Sequence, residues 1–365
     1  MSRRVARLIA IAADAVMQPL VSVIVRSMAR PTLGAALDSI GRQDHSSVEV
    51  VVVGASGPSH PDPPDRVGTH PVRLVRSERQ ASRPQAANIG LAAASGEWIT
   101  FLDDDDILYP DHVSSLVGAR SRAGVARLIY SPALARLSDG STLPLGQPFA
   151  LHQLYERNFI HLSMALFSRE LVALGCRFDE SLEILQDWDF FLQCAQHTRF
   201  HFEPRATFEW RADIGTAGTG AGANHDDARF AAFRDRIYAK WAQRHDALAE
   251  RVAADLQRAA SLANDGDVAA GETICREVLD YSENDPFALN LLAMMQRSSG
   301  RIRDARSTQE LACAVRPGDS SFAYNLALLC RDLGDLEAAR VHCRRAASGT
   351  PASEPAMRLL RSLTS

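Results

Sequence analysis

The chain has 365 residues, 46% of them hydrophobic, and a formal net charge of −4 at neutral pH. Such a length can bury more than one core, so two domains are expected, and the near balance of charge gives no reason to expect nucleic acid as the main partner. No stretch approaches the roughly 20 apolar residues of a membrane span. Cys176, Cys194, Cys275, Cys313, Cys330 and Cys343 are scattered without a Cys-x-x-Cys pair, the pattern of reduced thiols in a cytosolic protein rather than of a structural zinc site. A cytoplasmic location is therefore expected, compatible with a peripheral place at the inner membrane face.

The first segment, MSRRVARLIAIAADAVM, has a basic start and an apolar middle, but Asp14 interrupts the run and no clean small-x-small cleavage site follows. It is expected to form a short amphipathic helix or extension over residues 1–19. From Val21 the text changes: VSVIV is a continuous β-branched run, followed by a helical pattern, TLGAALDSIGRQ, and then by VEVVVV from Val48 to Val53. After a Pro-, Gly- and Ser-rich loop come VRLV (Val72 to Val75), the helix-like PQAANIGLAAASG, and EWITFL. Strands that are apolar throughout and alternate with helices predict an α/β fold whose mostly parallel sheet is covered on both faces.

EWITFL ends in four consecutive carboxylates, Asp103, Asp104, Asp105 and Asp106. Adjacent aspartates repel one another and lower strand propensity, so packing does not ask for them. One or two could cap the following helix. Four hard oxygen ligands at the carboxyl end of a strand, where parallel sheets bind ligands, suit Mg²⁺ or Mn²⁺ held together with a phosphate. Further on, LQDWDFFLQ (Leu185 to Gln193) has helical apolar spacing through Leu185, Trp188, Phe191 and Leu192, which leaves Asp187 and Asp189 at positions that need not share a face. EWRADIGTAGTGAGANHDDARF, from Glu209 to Phe230, reads as a Gly- and Ala-rich loop able to close over a site.

Four segments in order, VSVIVRSMARPTLGAALDSI, VEVVVVGASG, RPQAANIGLAAASGEWITFLDDDD and RFDESLEILQDWDFFLQ, resemble family 2 glycosyltransferases of the GT-A fold over about residues 20–240. The resemblance implies that Asp103 lies near the ribose and sugar, that Asp104 fills the variable place, and that Asp105 is the direct metal ligand. Asp106 is then a second ligand or the helix cap. It makes Asp187 the base of an inverting transfer, since a hydroxyl nucleophile needs such a group within hydrogen-bond reach. Arg26, Ser27 and Arg83 are placed at the nucleotide-sugar; in the Gly- and Ala-rich loop Arg211 is a candidate for diphosphate contact, and His225 is open between a third metal ligand and a solvated histidine, with the solvated reading preferred. His161 is open between an acceptor contact and a core histidine, with the core preferred, and Asn88 is expected to order a turn. Two positions depart from the family pattern: Ala55 stands where a base-reading carboxylate is usual, and Gln186 where Glu is common.

Beyond Trp241 the pattern is helical and repetitive. Gly266, Gly300 and Gly334 are spaced by 300 − 266 = 34 and 334 − 300 = 34, the tetratricopeptide period. Ala293 and Ala327, Ala305 and Ala339, Ala312 and Ala346, and Pro317 and Pro351 fall in register. Residues 246–365 are thus expected to form a helical, tetratricopeptide-like domain after a glycosyltransferase domain over 20–245. These repeats would bind a protein partner, self-associate, or only pack against the catalytic domain.

The leading expectation is a transferase using Mn²⁺ or Mg²⁺ and a nucleotide-sugar donor, a UDP-sugar favoured. Its acceptor would be a glycan, lipid-linked or protein hydroxyl in bacterial surface polysaccharide synthesis or protein glycosylation. The alternative is a degenerate GT-A domain acting as a scaffold through its repeats. A nucleotidyltransferase is disfavoured, because no Gly-rich basic loop follows the first strand.

Overall fold

A computed structural model describes residues 18–137, 139–211, 226–349 and 353–364. The expected N-terminal helix and His225 lie outside the described residues. The chain divides into two compact units: the described parts of Met1–Gly146 with Asn158–Ile237, and Gln147–Arg157 with Tyr238–Ser365.

In chain order the first unit holds β1 (Val21–Ser27), α1 (Leu33–Gly41), β2 (Val48–Gly54), β3 (Arg66–Val67), β4 (His70–Arg76), α2 (Arg83–Ala93) and β5 (Trp98–Asp103). Then follow β6 (Ile107–Leu108), α3 (His112–Ala119), β7 (Leu128–Tyr130), β8 (Ala133–Arg136) and β9 (Thr142–Leu145). After α4 (Leu151–Glu156), which belongs to the second unit, come β10 (Ala165–Ser168), α5 (Arg169–Ala173), α6 (Gln186–Ala195), β11 (Phe200–Phe202) and β12 (Phe208–Trp210).

The large sheet runs β11-β7-β10-β5-β1-β2-β4-β3. Its centre, β4-β2-β1-β5, is parallel, and every residue of β1 is buried, which is why Val21, Val23, Ile24 and Val25 do not alternate with exposed polar positions. β10 joins antiparallel to both β5 and β7, so the sheet as a whole is mixed. α2 lies close against the sheet at Gly90, where a Cβ would sit 2.4 Å from Ile24 Cγ2. From β1 the chain moves outward through β2 to β4 and then returns to the other side of β1 at β5. The strand order therefore reverses between β1 and β5, and Arg26 pairs in register with Asp103 at that reversal. A crevice outside the carboxyl ends of two such strands is the ligand position of open parallel sheets. A second sheet, β6-β12-β8-β9, brings Phe208 and Trp210 to the same side of the chain's course as the turn after β5, through the pairing of Phe208 with Leu108.

α7 (Asp227–Asn264) carries the chain into the second unit, which continues with α8 (Val268–Tyr281), α9 (Pro286–Ser298), α10 (Ile302–Val315), α11 (Ser320–Asp332), α12 (Leu336–Ala347) and α13 (Glu354–Thr364). This region is all-helical, as its period predicts. Gly266, Gly300 and Gly334 all take positive φ in the turns between helices, at 96°, 76° and 80°. Ala293, Ala305, Ala312, Ala327, Ala339 and Ala346 are fully buried, so small side chains let the helices approach closely. Aspartates start α8, α9, α11 and α12: the carboxylates of Asp267, Asp285, Asp319 and Asp335 each accept a backbone N–H of the first turn.

The strap Gln147–Arg157 is held within this unit. The Leu151 N–H donates to Glu283 O at 3.3 Å, Asn284 Nδ2 donates to Phe149 O at 2.7 Å, and the Tyr155 ring stacks on His245. All six cysteines are buried and unbridged. No helix among the described residues is long and apolar enough to cross a membrane.

Candidate active site

Each carboxylate of the Asp103–Asp106 turn has a different environment. The Asp103 Oδ1 accepts Arg26 Nε at 2.9 Å and Arg26 Nη2 at 2.6 Å. Burial pushes Asp103 toward the neutral form, but Arg26, Arg83 and His161 outweigh it and hold the carboxyl at about 2. The Asp104 Oδ2 accepts the Met28 N–H at 2.9 Å and so anchors the loop after β1. Asp105 is ion-paired with Arg30, which also stands 3.3 Å from Asp104. The Asp106 Oδ1 accepts the Arg211 N–H at 2.9 Å. Burial, together with the charges of Asp103 and Asp105, lifts Asp106 well above the ordinary carboxylate range. One turn thus holds an Asp103 whose ionisation is favoured beside an Asp105 and an Asp106 whose ionisation is opposed by burial and by their acidic neighbours.

His161 stands opposite. It opens a single turn of 3-10 helix, Leu162–Met164, just before β10, and its ring stacks on Phe208 at 5.4 Å and lies 5.7 Å from Trp210. Ligand atoms of Asp103, Asp106 and His161 all lie within 4.8 Å of one another. Two carboxylates and an imidazole at that spacing can share one divalent cation. Burial lowers the His161 pKa and favours the neutral imidazole, the form that can ligate, although Asp103 and Asp187 oppose the shift. Its Nδ1 accepts the Ser163 N–H at 3.3 Å, a long contact that does little to hold the ring against reorientation.

Asp187 sits in the first turn of α6, whose first flanking residue, Leu185, takes a left-handed φ of 59°. A buried Leu in that conformation is strained, and such strain is characteristic of positions that aim a functional group. The Asp187 Oδ1 accepts the Trp188 N–H at 2.9 Å. Burial raises the Asp187 pKa, against the opposing charges of His161 and Arg26, so its carboxylate is more basic than an exposed one. The pattern Asp187-Trp188-Asp189 separates as the helical period predicts: Asp189 is fully buried and accepts Gln193 Nε2 at 2.8 Å, and Trp188 is core. His161 thus interacts electrostatically with both Asp103 and Asp187.

Between the ends of β1 and α2 lies a pocket lined by Arg26, Met28, Arg30, Ala55, Arg83 and Asp103. Arg26 Nη1 is buried there without a hydrogen-bond partner, a donor suited to an oxygen-rich ligand. Arg83 is also desolvated, and burial lowers its pKa against the pull of Asp103.

From the expected set the structure places Arg26, Ser27, Arg83, Asp103 and Asp104 around one pocket, with Asp106 beside Asp103 and with Asp187 in electrostatic interaction with Arg26. The Ser27 hydroxyl is buried, accepts the Ala29 N–H at 2.9 Å and pairs with His60 Nε2 at 2.9 Å, and the residue lines the same pocket as Arg26. Arg211 reaches the site through its backbone N–H to Asp106. Asp105 lies outside the cluster of potential ligands and faces Arg30 instead. Asn88 orders a turn as expected, exchanging hydrogen bonds with the Phe178 backbone at 2.9 and 3.0 Å. His161, for which the sequence preferred a core histidine to an acceptor contact, packs on Phe208 and Trp210 and also meets Asp103 and Asp106. The apolar flanks of NFIHLSM mark it as an inward position, and nothing local says which partner it meets.

A mixed sheet with a parallel centre, and with acidic and basic groups converging at its strand-order reversal, is an α/β fold of the class that binds ligands at that crevice. Residues 22–172 match the family model described as Glycosyl transferase family 2, and the chain carries a domain of that family. It is 29% identical over 219 residues to the succinoglycan biosynthesis protein ExoO of Rhizobium meliloti, covering 55% of this chain and 63% of that protein. It is 23% identical over 188 residues to an uncharacterized glycosyltransferase of Haemophilus influenzae, covering 50% of this chain and 64% of that one. The chain thus spans a little under two thirds of the length of these relatives. Among solved structures, S. aureus TarS 1-349 in complex with UDP-GlcNAc is similar at a TM-score of 0.46 and 13% identity, over 94% of this chain and 90% of that one.

Proposed function

We propose that this protein is an inverting, metal-assisted glycosyltransferase that moves a sugar from a nucleotide-diphosphate donor, a UDP-sugar favoured, to an acceptor hydroxyl. The observation that carries the reading is the meeting of Asp103, Asp106 and His161 within 4.8 Å, with a raised-pKa Asp187 in electrostatic contact with the same imidazole. In a single displacement, Asp187 takes the proton of the acceptor hydroxyl as its oxygen attacks the anomeric carbon, and the bond to the diphosphate breaks on the opposite face. Arg26 Nη1 and Arg83 supply fixed positive charge for the leaving diphosphate. A cation held by Asp103, Asp106 and His161 would neutralise the charge that develops there, without proton transfer. An imidazole beside two carboxylates suits Mn²⁺ better than Mg²⁺, which prefers oxygen alone.

The acceptor class we favour is a glycan, lipid-linked sugar or protein hydroxyl of a bacterial surface polymer, in keeping with the name of the succinoglycan biosynthesis relative. The helical repeats would recruit that acceptor or a partner. The test is thermal stability with UDP, GDP, dTDP and CMP, each with and without Mn²⁺, followed by nucleotide release from the sugar donor that responds. A Mn²⁺-dependent shift for one nucleotide, lost in Asp106→Asn, is expected. No shift with any nucleotide would turn the assignment toward a scaffold acting through its repeats.

A further inference from the structure

Residues 176–178 are tied to α6 by side chains of that helix. Gln193 Oε1 accepts the Arg177 N–H at 3.1 Å, and Gln193 Nε2 donates to Arg177 O at 2.8 Å. Phe178 stacks on Phe190 with ring centroids 4.5 Å apart. The same register brings Cys176 to Cys194, in the last turn of α6, and the two thiols are hydrogen-bonded to each other. Cys176 is 2% exposed and Cys194 is fully buried, so only a reagent about the size of water can reach the pair. Arg177, the next residue in the chain, lines an open cleft of about 1180 Å³ together with Val172 and Ala173, which brings solvent close to Cys176.

We infer that Cys176 and Cys194 form a modification site, at which hydrogen peroxide makes a reversible disulfide between the segment after α5 and the last turn of α6. The pair is independent of the donor and metal reading above. The hydrogen bond donated by the Cys194 S–H, and then the charge of Arg177, lower the Cys176 thiol and favour its thiolate, the nucleophilic form. Burial, and then the same bond, hold Cys194 protonated, well above the ordinary thiol range. Cys176 is therefore the sulfur that reacts first. Its thiolate attacks one oxygen of the peroxide, the O–O bond breaks, hydroxide leaves, and the sulfur is oxidised to a sulfenic acid. The Cys194 sulfur then attacks the Cys176 sulfur and gives up its proton, the S–O bond breaks, and water leaves. The sulfurs, already in contact, close to about 2.05 Å. Elsewhere burial dominates: it pushes Cys275 and Cys313 up to about 11 and raises Cys330 and Cys343, which keeps those thiols unreactive.

The test is intact mass, peptide mapping and thiol counting on the full chain, treated with hydrogen peroxide while folded and unfolded only afterwards. The wild type should lose two hydrogens and show two fewer free thiols than the six of the reduced chain. One crosslinked peptide pair should join Cys176 to Cys194, and dithiothreitol should reverse the change completely. In Cys194→Ser the reaction should stop at the sulfenic acid, trapped by dimedone at Cys176, and Cys176→Ser should keep all of its remaining thiols. The wild-type map decides the inference even where a serine variant does not fold. A disulfide mapped to any other pair, oxidation of Cys176 to the sulfinic acid without a crosslink, or no loss of thiols overturns it.

Discussion

Replacing Asp106 by Asn separates the cost of the acidic turn from its use. Asp106 is 2% exposed, and its Oδ1 accepts the Arg211 N–H at 2.9 Å. Asn keeps an oxygen for that N–H and removes a charge that burial, Asp103 and Asp105 all disfavour. Relief of such a functional-site conflict is typically worth about 1–2 kcal/mol. At roughly 2–4 °C per kcal/mol for a domain of this size, melting of the first unit should rise by about 2–8 °C without metal at neutral pH. The sign with pH follows from a folded-state pKa raised above the unfolded one. Wild-type stability is then lost as pH rises from the ordinary carboxylate range, near about 4, through the raised value, so the advantage of Asn disappears in acid. Mn²⁺ should reverse the order. At 100 times its dissociation constant it stabilises a competent site by about 2.7 kcal/mol, and the Asn variant should gain much less. Differential scanning calorimetry at neutral pH and in acid, with and without Mn²⁺, reads all of this. A variant less stable than wild type without metal, or equal Mn²⁺ stabilisation of both proteins, would refute the reasoning.

Asp187→Asn should lower kcat by about 10²–10⁴-fold while leaving nucleotide affinity near wild type, as loss of a general base does. Because the Asp187 pKa is raised, the wild-type rate should fall with decreasing pH above the range where an exposed carboxylate titrates, and an acid limb at the ordinary value would count against it. Arg26→Ala leaves Asp103 without its paired guanidinium and should cost about 3–5 kcal/mol in urea unfolding of the first unit, and a loss below about 1 kcal/mol would show that the pair is screened. In the helical unit, a Cβ at Gly271 would lie 2.8 Å from Ala259 O and 2.9 Å from Met295 Cε, so Gly271→Ala should destabilise it by about 1–3 kcal/mol. An unchanged melting temperature for that variant would mean that the helices can separate freely.

Much of this molecule was written in local pattern. The parallel strands are legible because burial on both faces demands continuous β-branched sequence, as in VSVIV and VEVVVV. The helical unit is legible because stacked copies must repeat their small residues, and the alanines spaced by the repeat are all buried. The second sheet was not foreseen, since two- to four-residue strands such as Ile107–Leu108 and Thr142–Leu145 are too short to show a period. Nor does any composition change mark Gln147–Arg157, which leaves the first unit to pack with helices far along the chain.

The candidate site divides along the same line. The sequence by itself determined that carboxylates stand where β5 ends and that Asp187 lies in a helical segment, because strands and helices are set by residues close in the chain. Only the tertiary structure decided that His161 closes on Asp103 and Asp106, and that Asp105 turns instead to Arg30. Such partnerships join side chains from separate strands and turns. They depend on the order in which β1, β5 and β10 pair, and no single segment carries that order in its own periodicity.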